Sequence, residues 1–266
     1  MWIKTQCRLE LDYLYETPLL LMLRPRSGAG QWVAAESYSF SDQIEATQYT
    51  DEYGNLCQRL TAPADGFVIE TAATVRTAPA MDEGAGEPFV DINALPEEGL
   101  RFLAPSRYCE SDRMGGLAME AADLAQPGYN QVANIVDWIR ERVIYAPGTS
   151  GVPLSASEIL AQGEGVCKDL THLGIALCRS ISIPARYVFG YLQGLEPMDL
   201  HAWFEAYVGD RWYAFDPTQN NLEGARVAIA YGRDAADVAI YHQFGPPARF
   251  TDMQVAVEEI PPPVLD

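Results

Sequence analysis

Apolar and polar positions change rhythm once along this chain. Up to about residue 77 the pattern is that of short strands. Residues 7–15 alternate apolar and polar, residues 19–23 form an unbroken apolar run, and residues 58–61 and 67–75 are strand-like stretches that follow turn signals. Asp51-Glu52-Tyr53-Gly54-Asn55 reads as a turn between two of them. Such spacing predicts a small antiparallel β-sandwich over residues 1–80. Residues 81–99 are rich in Pro, Gly and acidic residues with little periodicity, which predicts a linker and places the domain boundary there.

Helical spacing then takes over. Met114, Leu117, Ala118, Ala121 and Leu124 form one stripe, and Val132, Ile135, Val136, Ile139 and Val143 form a second. Both read as core. Ser155-Ala156-Ser157-Glu158 has capping-box spacing and predicts a short helix ending at Gly163. Leu170, Leu173, Ile175, Ala176 and Leu177 recur at helical spacing after Gly163 and Gly165, so Cys167 is expected to open a buried helix. Ile183-Pro184-Ala185 reads as a turn and residues 186–191 as a strand.

Two further strand-like runs flank Gly209-Asp210, read as a two-residue hairpin loop with glycine at its first central position. A loop of that length sets the register. Val208 faces Arg211, so Trp203 opposes Asp216 and His201 opposes Thr218. His201, Trp203, Asp216 and Thr218 then share one face, while Phe204, Ala206, Val208, Tyr213 and Phe215 take the other, which is the packing face. His201 and Asp216 are diagonal neighbours at about 7–8 Å between backbones, within reach of a carboxylate bonding to an imidazole.

Composition narrows the chemistry. The chain has 266 residues, 48% of them hydrophobic, enough for one large domain or two smaller ones with an ordinary core. No basic start precedes a long apolar run and no stretch is long enough to span a bilayer, so neither export nor a membrane partner is expected. Acidic residues outnumber basic ones 37 to 18, for a net charge of −19 without a basic cluster, which argues against nucleic acid as a partner. Five cysteines at irregular spacing argue against a disulfide framework and for reduced thiols in a cytoplasm.

Those cysteines include the candidate nucleophile. A thiol at a helix N-terminus, with Lys168 beside it, is placed to favour the thiolate; the alternative for Cys167 is one more inert buried cysteine. A cysteine opening a helix, a histidine early in a strand and an aspartate ending the next strand match the nucleophile, base and orienting acid of thiol acyl transfer. Cys167 would attack an amide carbonyl, His201 would carry the proton to the leaving amine, and Asp216 would hold His201. The Cys167 N–H is a natural oxyanion donor; a second donor is not identifiable.

Residues 165–173 (GVCKDLTHL), Ile183-Pro184-Ala185-Arg186-Tyr187-Val188, His201-Ala202-Trp203 and Asp216-Pro217-Thr218 together resemble the successive motifs of the bacterial transglutaminase-like superfamily of cysteine peptidases. The resemblance extends to residues 51–55, similar to the N-terminal β domain of many such proteins, and to Gly232-Arg233-Asp234-Ala235-Ala236-Asp237-Val238. It implies an α+β fold: an N-terminal antiparallel β-sandwich, then a papain-like catalytic core over residues 100–266 that includes the C-terminal strands. It also implies Cys167, His201 and Asp216 as a catalytic triad, with neither cofactor nor metal. The family often carries Gln or Arg at the position of Lys168 and Phe-Ala at Leu170 and Thr171, departures that leave the triad intact.

The remaining candidates have plainer readings beside the functional ones. Asp169 either binds a substrate amine or caps its own helix. Tyr187 and Trp203 either line the acyl groove or pack in the core. His172 lies about 140° around the helix from Cys167, which favours a structural hydrogen bond, and Cys178 and His242 read as core and as strand or surface. A zinc site from Cys167, His172 and His201 lacks metal-ligand spacing. Three functions remain: a cysteine hydrolase acting on a peptide or other amide, a transamidase passing the acyl group to an amine, and a non-catalytic binding module. A homo-oligomer formed through the N-terminal domain is a further expectation.

Overall fold

The computed structural model describes residues 1–28, 30–41, 43–123, 125–148, 151–238 and 240–263. The chain opens with β1 (Trp2–Asp12), β2 (Thr17–Arg24), β3 (Gln31–Phe40), β4 (Thr47–Thr50), β5 (Leu56–Ala62) and β6 (Phe67–Thr77). In β1 every second residue from Ile3 to Leu11 is buried, the period expected of a strand with one covered face. Two four-stranded antiparallel sheets result, and Leu9, Leu11, Leu21, Phe67 and Ile69 meet between them.

Two strands of this sandwich come from the far end of the chain. β13 (Tyr241–Gln243) pairs with β2, and β14 (Phe250–Ile260) pairs with β1 along its whole length, from Trp2 opposite Ile260 to Asp12 opposite Phe250. The expectation that the C-terminal strands belong to the catalytic core is corrected here. Backbone pairing across some 250 residues of chain leaves no local trace in sequence. β3 and β4 also went unread.

The second half is built on α5 (Cys167–Ser180), whose residues 169–179 are all buried. It packs on a second antiparallel sheet ordered β11-β10-β9-β12, from β9 (Ala185–Leu192), β10 (Leu200–Val208), β11 (Arg211–Phe215) and β12 (Arg226–Gly232). α2 (Gly115–Ala122) and α3 (Tyr129–Arg142) cover the helix, burying Ala118, Ala121, Val132, Ile135, Val136 and Ile139 of the two stripes. Leu117 is half-buried and Leu124 lies outside the described residues.

Residues 81–99 do not hang free. Their N–H and C=O groups bond to the core: Met81 N–H donates to the Leu222 carbonyl at 2.9 Å, and Gly209 N–H donates to the Pro88 carbonyl at 2.9 Å. Val90 and Leu95 are buried, and the segment ends in the short α1 (Glu97–Leu100). The composition of a linker here makes a strap, because its backbone groups find partners on the surface it crosses.

The two halves meet along β12, an edge strand of the sheet beneath α5. The Gln31 amide brackets Ala228, accepting from its N–H and donating to its carbonyl, both at 2.8 Å, and Asn55 does the same to Tyr231. Thr77 Oγ1 donates to the Arg226 carbonyl at 2.9 Å, and Tyr53 OH donates to Asp237 at 2.8 Å. Side-chain amides thus occupy the hydrogen-bonding edge that another strand would otherwise take.

Candidate active site

Local rules place the thiol. Ser155 Oγ accepts from Glu158 N–H while Glu158 accepts from Ser155 N–H, so α4 (Ala156–Gln162) begins in a capping box. It ends at Gly163, whose φ of +77° is the left-handed C-terminal conformation. The next two residues, β8 (Glu164–Gly165), pair in parallel with β7 (Ile144–Tyr145). Gly165 has no room for a side chain, since a Cβ there would lie 2.2 Å from Ile159. The chain enters α5 one residue later, with Cys167 first and half-buried. As the first residue of the helix, Cys167 has an N–H without an intrahelical acceptor.

The hairpin supplies the other two groups. Phe204 opposes Phe215 and Val208 opposes Arg211, the register expected from the two-residue loop. Gly209 and Asp210 have φ of +55° and +63°, so both central residues are left-handed, the pattern of a type I′ turn and not of the glycine-first II′ turn. Phe204, Ala206, Val208, Tyr213 and Phe215 are all buried on the packing face. On the other side His201 Nε2 lies 2.8 Å from Asp216 Oδ2, and both side chains are fully enclosed.

Asp216 is held at every oxygen. Oδ1 accepts from Thr218 N–H at 3.0 Å and Thr218 Oγ1 at 2.8 Å, and Oδ2 accepts from Arg226 Nη2 at 3.0 Å as well as from His201. Arg140 donates to the main-chain carbonyls of Asp216 and Gln219. Burial opposes the charge on Asp216, but His201 and Arg226 outweigh it and hold the carboxyl well below the usual carboxylate range. Burial likewise pushes the His201 imidazolium down, and the charge and hydrogen bond of Asp216, with help from the Cys167 thiol, raise it to about 9. Its Nδ1 is buried and has no hydrogen-bond partner among the described residues.

Of the other sequence candidates, Asp169 turns away from this arrangement, while Tyr187 and Trp203 border it: Cys167 acts on the Tyr187 phenol and the Trp203 ring stacks beside that of His201. Asp169 is fully buried, Oδ2 accepting from the Val166 N–H at the helix cap and Oδ1 from Leu154 N–H, so it faces no substrate; its role is capping. The bond goes to the cap residue's N–H, as in the second half of a capping box. Tyr187 is buried against His172, with ring centroids 5.5 Å apart. Trp203 is buried on the outer face of the sheet with Val188 and Ala228, its ring 6.3 Å from that of His201. His172 is a structural clamp: Nδ1–H donates to the Leu154 carbonyl at 2.8 Å, and Nε2 accepts from Ala235 N–H at 3.1 Å. No group of three or more potential metal ligands occurs among the described residues.

Three residues escaped the sequence reading. Tyr145 lies on β7 beside the entry to α5, and its phenol is raised to about 12 by burial and then by Cys167, Asp216 and Asp199. Asp199 is raised by burial, partly offset by the Leu200 N–H, His201 and Lys168. Arg226 carried one sequence signal, a charge inside the apolar run of residues 225–230.

Comparison with known proteins gives the family. The model of the transglutaminase-like superfamily matches residues 116–217, a span that contains Cys167, His201 and Asp216. A crystal structure of a candidate cysteine protease from Cytophaga hutchinsonii superimposes with a TM-score of 0.88 at 34% identity, covering 100% of this chain and 94% of that one. The uncharacterized protein ML0607 of Mycobacterium leprae is 28% identical, over 92% of this chain and 94% of its own length. This chain belongs to the transglutaminase-like superfamily.

Proposed function

We propose that the chain is a cysteine-dependent amide hydrolase, a peptidase or amidase, in which Cys167, His201 and Asp216 act as nucleophile, base and orienting acid. The observation that carries the reading is the enclosed 2.8 Å bond from His201 Nε2 to Asp216, with Nδ1 unpartnered and the Cys167 thiol acting on the same ring. A carboxylate on Nε2–H fixes the tautomer that leaves Nδ1 as the proton acceptor.

In this mechanism the proton of the thiol already resides on Nδ1, in the imidazolium that Asp216 favours, when Sγ attacks the amide carbonyl carbon. The carbonyl oxygen, now an oxyanion, sits against the Cys167 N–H. Collapse breaks the C–N bond while the imidazolium returns its proton to the leaving amine, and a thioester remains on Cys167. Water, losing a proton to the same imidazole, cleaves the thioester to a carboxylic acid and regenerates the thiol. Asp216 stays ionised throughout, in keeping with the partners that depress its pKa.

No helix among the described residues is long and apolar enough to cross a membrane. All five cysteines are unpaired, which fits the reducing cytoplasm we propose as the location. The substrate is a peptide or another amide-bearing molecule.

The test is turnover of a panel of peptide and amide substrates with and without a fluorescent primary amine. Hydrolysis that Cys167→Ala abolishes, with no amine incorporated, is the expected result. Incorporation of the amine in place of hydrolysis would make the chain a transamidase, and wild-type protein inert toward every amide and toward thiol trapping would make it a binding module.

A further inference from the structure

Asp216 Oδ2 serves two donors. His201 Nε2 stands 2.8 Å from it and Arg226 Nη2 stands 3.0 Å from it. Arg226 is itself enclosed, with 7% of its side chain exposed, and Asp216 is its one acidic partner among the described residues. Its Nη1 donates to the carbonyls of Glu223 and Gly224, and its Nε has no partner. Burying a guanidinium with an unpaired donor is unfavourable for stability alone, so the arrangement calls for a second role. The backbone beneath it is fixed from the sandwich: Thr77 binds the Arg226 carbonyl, and Gln31 brackets Ala228 two residues on.

The geometry points to Arg226 as a positioning residue, which aims the Asp216 carboxylate at His201 and, by sharing Oδ2, limits how strongly that carboxylate holds the imidazolium proton. This rests on the catalytic reading of Cys167, His201 and Asp216 above. The charged and titratable groups acting on the imidazole come from several elements: Cys167 from α5, Asp216 after β11, and Asp199 before β10. Tyr145 on β7 borders Cys167 and Asp216, Lys168 acts on Asp199, and Arg226 on β12 acts through Asp216. Arg226 is the cation that bonds the same oxygen as the imidazole.

The consequence for a general acid is direct. An imidazolium bound to an unshared, buried carboxylate gives up its proton reluctantly; one that shares the carboxylate with a guanidinium gives it up at lower pH. Arg226 thereby keeps His201 able to protonate the leaving amine.

The experiment is alkylation of Cys167 by iodoacetate across pH 5–11, read by mass spectrometry of the Cys167 peptide. Iodoacetate is anionic, so its reaction is fastest while the thiolate and the imidazolium coexist, and the alkaline limb reports loss of the His201 proton. Arg226→Gln is expected to move that limb upward by about one pH unit, and Arg226→Lys, which retains the charge, to stay near wild type. Thermal melts accompany each variant. If Arg226→Gln does not fold, Thr77→Val, which removes only the hydroxyl holding the Arg226 carbonyl, moves the limb the same way by a smaller step. A neutral variant whose profile superimposes on wild type, whatever its melting temperature, overturns the proposal, as does an equal shift in the Gln and Lys variants. Wild-type protein without preferential, pH-dependent alkylation of Cys167 would instead bring down the triad reading and Arg226's role with it.

Discussion

The side chain of Asn55 binds the main chain of Tyr231 as a neighbouring strand would, Nδ2 donating to the carbonyl at 2.7 Å and Oδ1 accepting from the N–H at 2.8 Å. Asn55 is fully buried, and Asp51 fixes it by accepting from its N–H and its Nδ2, each at 2.8 Å. The turn at residues 51–55 is therefore one joint, beside Gln31 and Thr77, between the sandwich and the β9–β12 sheet.

Asn55→Ala leaves both Tyr231 groups without partners in a place shielded from water. Each unsatisfied buried group costs about 1–3 kcal/mol, so the variant is expected to lose about 3 kcal/mol of stability. Urea unfolding measures it. A loss below about 1 kcal/mol would mean that water replaces the amide.

Asp216→Asn tests the charge. The amide oxygen keeps the Oδ2 place, where Arg226 and His201 both donate, and the carboxylate that stabilises the imidazolium is lost. Turnover is expected to fall about 10³-fold, and Cys167→Ala to abolish it, with neither change disturbing the circular dichroism spectrum. Full activity in both variants would remove the catalytic assignment.

The pairing of His201 with Asp216 was legible in the sequence because a two-residue hairpin loop fixes register, and register fixes which side chains share a face. The capping box at Ser155 and the stop at Gly163 were legible for the same kind of reason, since they are local. β3 was not, because a bulge between Val33 and Ala35 breaks its period of two and both its faces are largely exposed. Arg226 sits ten residues past Asp216 and reaches it only through the pairing of β12 with β9, a relation between strands that no spacing encodes. The roles of Gln31 and Asn55 are hidden likewise: the residues are ordinary in a loop or a strand, and only the approach of β12 gives them partners.

His172 predicts acid sensitivity. Its bonds to the Leu154 carbonyl and the Ala235 N–H require the neutral ring, and burial lowers its pKa, partly offset by the Leu154 carbonyl. A pKa lower in the folded than in the unfolded state means that the unfolded chain takes up the proton first. Stability from this site is present above the ordinary histidine value of 6.5 and is lost as pH falls below it. The raised pKa of His201 has the opposite sign and its contribution is already complete below 6.5, while His242, lowered by burial, adds in the same direction as His172. His172→Gln keeps one donor and one acceptor without titrating. Between pH 6.5 and 5 it is therefore expected to lose less stability than wild type in urea unfolding, and equal slopes would show that His172 is not the sensitive group.

Gly174 decides how closely α5 lies on its sheet. Replacing a mid-helix glycine with alanine ordinarily stabilises a helix by about 1 kcal/mol. At this position the added Cβ would stand 2.6 Å from the ring of Phe204, which is fully buried and stacked on Phe215 with centroids 5.6 Å apart. The ring has no open space to move into, so overpacking, typically about 1–3 kcal/mol, outweighs the gain in helix propensity. Gly174→Ala is expected to destabilise the protein in thermal and urea unfolding. Because Phe204 lies on the strand that carries His201, the same change is also expected to slow iodoacetate alkylation of Cys167 near neutral pH. A variant more stable than wild type would mean that the helix and sheet separate to admit the methyl group, and that their spacing is not what sets the site.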